Sequence, residues 1–198
     1  MKKILKFLGL VLIITIILLG IIFLRNYLIL KKISNLQNSF EIDYNNLHVK
    51  VVTDILDEYL GDTTTEIYWY DNKVLENNTY IRKRDNQNIK YYYYRDYMTG
   101  EIKQSEEPVV KQDDYDPKVW MEEMSIYKIY DFKEDLKFSW FNIITVEDNC
   151  YKLKKFSDII YFDKDTGIMV KKEFPGAIIT YEYEKGIVTE NDIKIPEE

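Results

Sequence analysis

The sequence holds one cysteine, Cys150, one histidine, His48, and one alanine, Ala177. One cysteine excludes an intrachain disulfide. One histidine excludes a histidine-rich metal site, and a Cys/His nucleophile pair would need the fold to bring these two residues together. Only 7 glycines are present, and they form no phosphate-cradling loop. No G-x-S-x-G pattern occurs. The acidic doublets Glu106-Glu107, Asp113-Asp114 and Glu122-Glu123 do not fix two carboxyls at a catalytic distance, because adjacent side chains on a strand or helix point apart. The expectation is a protein that is not an enzyme, with no cofactor and no metal.

Charge is also missing where it matters. From Phe7 to Leu24 there are 18 consecutive uncharged residues, nearly all Leu, Ile, Val or Phe. At about 1.5 Å per residue they reach roughly 27 Å, close to the thickness of a bilayer's hydrocarbon core. Lys2, Lys3 and Lys6 precede the run; Arg25, Lys31 and Lys32 follow it. A cleavable signal has a shorter apolar stretch and ends in an A-x-A-like site. Here the only alanine is Ala177, and no cysteine follows the run for lipid attachment. The expectation is a single-pass anchor at 7–24 behind a short cytoplasmic tail at 1–6. The cation count on the two sides is a tie. The short lysine-rich tail and the long trailing domain favour a cytoplasmic N-terminus and an extracytoplasmic domain at the cell membrane.

Beyond residue 32 the chain carries 21 basic and 34 acidic residues, a net charge of −13. Such a surface repels phosphate backbones, so nucleic acid is not expected as a partner. The length suits one domain.

Hydrophobic periodicity outlines that domain. Ile29, Ile33, Leu36 and Phe40 are spaced 4, 3 and 4, which predicts that the anchor helix continues through 25–40. From Leu47 the period drops to two, and strands are predicted for most of 41–198. They cover 47–55, 64–70, 78–84, 89–97, 138–146, 150–155, 158–162, 168–174 and 177–183. Asp71-Asn72, Asp85–Asn88, Met98–Glu101, Asp163–Gly167, Pro175-Gly176 and Glu184–Gly186 supply the turns. Residues 104–116 read as a polar loop. Asp116-Pro117 then offers an N-cap and an N1 proline for a second amphipathic helix near 117–129. Short strands joined by tight turns predict an α+β fold: an antiparallel meander forming a curved sheet covered by about two helices.

Two motifs invite a functional reading. Asp163-Lys164-Asp165-Thr166-Gly167 resembles part of a calcium loop but lacks its later acidic ligand, and reads as a hairpin turn. Tyr91-Tyr92-Tyr93-Tyr94, in a strand, sends Tyr91 and Tyr93 one way and Tyr92 and Tyr94 the other. Tyr91 and Tyr93, with Trp120, Met124 and Tyr127 at helical spacing, are the candidate apolar cavity or partner face.

The helix up to Phe40, the entry Tyr44–Val49, the stretch Ile160–Glu173 and the closing Asp192–Pro196 resemble the LolA/LolB lipoprotein-carrier superfamily. Among its relatives the chain looks most similar to the GerS-like germination lipoproteins of spore-forming bacteria. The resemblance implies a half-open antiparallel barrel with a helical lid. It also implies either an acyl chain as ligand or a cell-wall (cortex) hydrolase as protein partner in sporulation or germination. The matched positions are turns and strand ends, so no ligand residue carries over. The chain departs from both groups in having an apolar anchor where they have a lipidated cysteine or a cleaved signal. A fixed anchor favours a stationary accessory protein that docks an envelope protein over a shuttling carrier.

Overall fold

The computed structural model describes residues 2–40, 44–57, 61–84, 86–105, 116, 117, 119, 135 and 142–196. The chain forms two units, residues 1–39 with 129–168, and residues 40–128 with 169–198. An N-terminal apolar helix and ten antiparallel strands place it in the α+β class.

In the first unit, α1 runs unbroken over Lys2–Ser39. It is long and apolar enough to cross a membrane, and none of its most apolar window is buried. Its last third packs on three strands in the order β8-β7-β6, where β6 is Ile143–Val146, β7 Cys150–Lys155 and β8 Asp158–Asp163. The face that α1 buries is Asn26, Leu30, Ile33 and Gln37. This differs from the expected stripe of Ile29, Ile33, Leu36 and Phe40. The true face is turned by about one residue because two of its four places are amides, which an apolar count cannot see. Asn26 Nδ2 donates to the Asn142 carbonyl at 2.8 Å, and Arg25 donates to the Ile144 carbonyl at 3.0 Å. Such bonds let a buried amide replace a hydrocarbon without an unsatisfied donor.

The second unit is a seven-stranded antiparallel sheet, ordered β5-β4-β3-β2-β1-β10-β9. Its strands are β1 Asn46–Ile55, β2 Asp62–Tyr70, β3 Lys73–Arg82, β4 Gln87–Asp96, β5 Ile102–Gln104, β9 Met169–Phe174 and β10 Ala177–Lys185. The meander expectation holds for β1 to β5. The sheet then continues by a long-range pairing of β1 with β10, from Leu47↔Lys185 to Ile55↔Ala177. The third strand starts at Lys73, five residues before the expected Asn78, and Arg84 falls in the turn after it. Glu76-Asn77-Asn78 has low strand propensity, but ladders to β2 and β4 on both sides override it. Asp71 and Asn72, with φ 46° and 64°, make the tight β2–β3 hairpin.

Of the expected strand at 138–146, only 143–146 is described as strand. Pro117 and Val119 are helical. The rest of the expected helix at 117–129, with Trp120, Met124 and Tyr127, lies outside the described residues, as does most of the 104–116 loop.

Candidate binding faces

The alternation of β4 splits the tyrosine run between the two faces of the second unit's sheet. On one face the register places Tyr93 opposite Glu76 and Tyr91 opposite Asn78. The same face carries Leu47, Val49, Ile67, Trp69 and Val74, all with no exposed surface. Tyr93 is 2% exposed, and Tyr91 is half-buried. Burial raises the hydroxyl pKa of both, and the Glu76 charge adds to the effect.

This wall is not purely apolar. Glu76 is fully buried. Thr65 donates to Asn78 Oδ1 at 2.6 Å, and Asn78 Nδ2 donates to Glu76 Oε1 at 2.7 Å. Farther along β4, Arg95 pairs with Asp116 at 3.1 Å and lies 4.7 Å over the Tyr97 ring. The Tyr97 hydroxyl donates to the other Asp116 oxygen at 2.7 Å. Burial and that carboxylate push the Tyr97 pKa far up. The expected N-cap residue therefore has one carboxylate oxygen tied to β4 and the other to the residue just past it, anchoring the helical start at Pro117. Trp69 stacks on Tyr97 at 5.7 Å and meets Tyr44 edge-on at 5.0 Å.

On the opposite face Tyr94 joins Leu75, Val188 and Ile193 in a buried cluster, with Tyr68, Tyr70, Tyr92 and Ile195 packed against it. The C-terminal segment supplies three of these residues. Asn46 holds it: Val188 N–H donates to Asn46 Oδ1 at 2.8 Å, and Asn46 Nδ2 donates to the Val188 carbonyl at 2.9 Å. Where the segment ends, a cleft of about 500 Å³ opens, lined by Glu66, Asn77, Asn78, Thr79, Lys90, Tyr91, Tyr92, Ser105 and Pro196. Its lining mixes amide, hydroxyl, carboxylate and ammonium groups with two tyrosines.

The remaining chemically notable residues have structural partners. His48 stacks on Tyr68 at 4.6 Å, and its Nδ1 lies 3.3 Å from Glu184. Cys150 is half-buried with its thiol directed at Glu147, and burial and that carboxylate raise its pKa. A raised thiol pKa disfavours the reactive thiolate. At the calcium-like motif, Asp163 Oδ1 accepts from Asp165 N–H at 3.0 Å, Thr166 N–H at 2.8 Å and Thr166 Oγ1 at 2.7 Å. The motif is a turn that uses its own carboxylate. Asp96-Tyr97-Met98-Thr99-Gly100 repeats the device, with Asp96 Oδ1 accepting from the N–H groups of Met98 and Thr99. Among the described residues no group of three or more His, Cys, Asp or Glu is disposed to hold a metal. One S-x-x-K spacing, Ser125 to Lys128, lies outside the described residues.

Sequence reasoning placed Tyr91 and Tyr93 on a common face but missed Glu76, Asn78, Asn46 and the Arg95–Asp116 pair. Glu76 and Asn78 are in phase with Val74, and that phase was the available signal. Asn46 and Asp116 gave none, because their partners are remote in sequence.

Comparison with known protein families, with curated proteins and with solved structures yields no match.

Proposed function

We propose that this chain is a membrane-anchored, non-enzymatic accessory protein of a bacterial cell envelope that docks a protein partner from a fixed position beside the bilayer. The observation that carries this reading is the unbroken helix Lys2–Ser39. Its run Phe7–Leu24 is apolar and exposed, and directly after that run Arg25 and Asn26 bond the helix to folded strands. Between the apolar run and these strands the helix is unbroken, so the first unit has no flexible linker to the span with which to reach or shuttle. The domain is taken to be extracytoplasmic, and the resemblance to GerS-like proteins suggests a cell-wall (cortex) hydrolase in sporulation or germination as partner.

Crosslinking in native membranes followed by purification tests the reading. A stoichiometric envelope protein supports it. Recovery of bound acyl lipid in place of a protein would overturn it in favour of a LolA-like lipid- or lipoprotein-binding module. Protease added to wall-stripped cells should digest the domain without lysis; full protection would overturn the topology.

A further inference from the structure

The first unit contains an aromatic residue in an unusual place. Strands β7 and β8 are joined by the two-residue loop Phe156-Ser157. The first position of such a loop takes a positive φ and usually holds Gly, Asn or Asp. Here it holds Phe156, with φ 54° and 92% of its surface exposed. A bulky side chain in the left-handed region costs about 1–2 kcal/mol, and burial of the ring does not offset that cost. Backbone strain of this kind, kept without a packing reason, points to function.

The position of the loop along α1 supplies the function. Asn26 bonds to the Asn142 carbonyl. Ile143 pairs with Lys154, so Asn142 falls one step farther out, level with Lys155. Asn142 and Lys155 also share the buried carboxylate of Asp135, at 3.4 and 3.1 Å. At the other end of the same strands, a β-carbon on Gly167, just past β8, would lie within 3.1 Å of Ile33 and Gln37. The strands therefore run alongside α1, and the Phe156 tip points toward its N-terminal, apolar end. Phe156 follows Lys155 directly and so lies about level with residues 24–26, where the uncharged run Phe7–Leu24 ends. That is the height of the headgroup–acyl boundary if α1 spans a bilayer. Tyr27 stacks on Phe23 at the same height, as interfacial aromatics do. Ile143, 60% exposed, and the exposed Lys154 lie beside the tip on the strand pair.

We infer that the β7–β8 hairpin is a second membrane contact, with Phe156 inserted at the lipid interface next to the anchor. The inference rests on α1 being a membrane span. Two contacts fix the unit's tilt, where a helix alone would leave it free to lean.

The test uses the full-length chain in proteoliposomes, in a Cys150→Ser background. An environment-sensitive fluorophore is placed singly at Ser157→Cys, Asp165→Cys or Ile13→Cys. Lipids carry nitroxide quenchers at shallow or deep acyl positions. The Ser157 probe should show blue-shifted emission and shallow quenching, and Phe156→Asp should abolish both without lowering the melting temperature, because Asp suits the positive φ better than Phe. The Ile13 probe should be quenched by deep nitroxides and the Asp165 probe by neither. A Ser157 probe that behaves like the Asp165 probe, while Ile13 is quenched, overturns the hairpin contact alone. Shielding of Ser157 without nitroxide quenching would assign the tip to a protein neighbour and overturn it as well. An unquenched Ile13 probe overturns the span and the inference together.

Discussion

Gly167 rests directly on the helix backbone: a β-carbon added to it would lie 2.7 Å from the carbonyl oxygen of Ile33. Its φ of 72° already excludes most side chains. Gly100 occupies the matching place in the second D-x-x-T-G turn with φ 77°, but nothing lies within 4 Å of its would-be β-carbon. Gly100→Ala should therefore show only the left-handed penalty of about 1–2 kcal/mol. Gly167→Ala should exceed it by a further 1–3 kcal/mol or so, the usual range for overpacking. Denaturant unfolding of the two variants in the same detergent checks the difference. Equal losses would mean that α1 does not press on the turn.

Asn46 ties down the C-terminal segment through both halves of its amide. Asn46→Ala strips the Val188 N–H and carbonyl of their partners, a loss of about 1–3 kcal/mol for buried groups. Amide exchange at Val188 and Ile193 should accelerate, while exchange in β2 and β3 is unchanged. Uniform acceleration across the sheet would show that the segment is not a separate unit.

The buried chain Thr65–Asn78–Glu76 predicts an asymmetry. Asn78→Leu removes the amide donor of Glu76 at a site with no exposure, and should destabilise by about 1–3 kcal/mol. Glu76→Gln keeps the shape and an acceptor, and should cost much less. Thermal melts of the two variants decide, and the reverse order would refute the arrangement.

Tyr181 supplies an alkaline limit. Burial pushes its hydroxyl up to about 12. The unfolded chain ionises it near the ordinary value of 10.0, so its contribution to stability is whole below pH 10 and is lost as pH rises toward 12. Ultraviolet titration should show a tyrosinate signal delayed to about pH 12 that is smaller by one tyrosine in Tyr181→Phe.

Asp192 behaves oppositely. The hydroxyl and N–H of Thr189 hold its carboxyl below the usual 3.8, against a smaller raising effect of burial and with help from the His48 charge. A lowered folded value means that the stabilisation is present above pH 3.8 and disappears as pH falls through the lower folded value. The Thr189–Asp192 turn should loosen in that acid window, seen as loss of amide protection at Thr189. Asp192→Asn should remove the pH dependence.

The local rules were legible in the sequence because they act over a few residues. An uncharged run of 18 residues cannot be a half-buried helix in a chain this size. Asp71-Asn72 and Asp163–Gly167 encode turns in their own side chains and backbone. The period-two stretch at Leu47–Val51 identifies its strand and its buried face without help. What the sequence hid has one physical cause, which is that the deciding partner is distant. Asn26 looks like a surface residue until Asn142 is placed beside α1, and Gln37 until Gly167 is. Glu76-Asn77-Asn78 looks like a break until β2 and β4 clamp it from both sides. The pairing of Leu47 with Lys185 spans most of the folded chain, and no local pattern encodes it.

Thus the sequence alone determined the long apolar N-terminal helix, the strand-rich α+β class and the faces of the tyrosine run, each set by short-range sterics and hydrophobic period. Only the tertiary structure decided which amides α1 buries, that Asp116 binds β4, that the C-terminal segment covers Tyr94, and that Phe156 lies where the apolar span ends. Those depend on free energies of contact between residues that no spacing brings together.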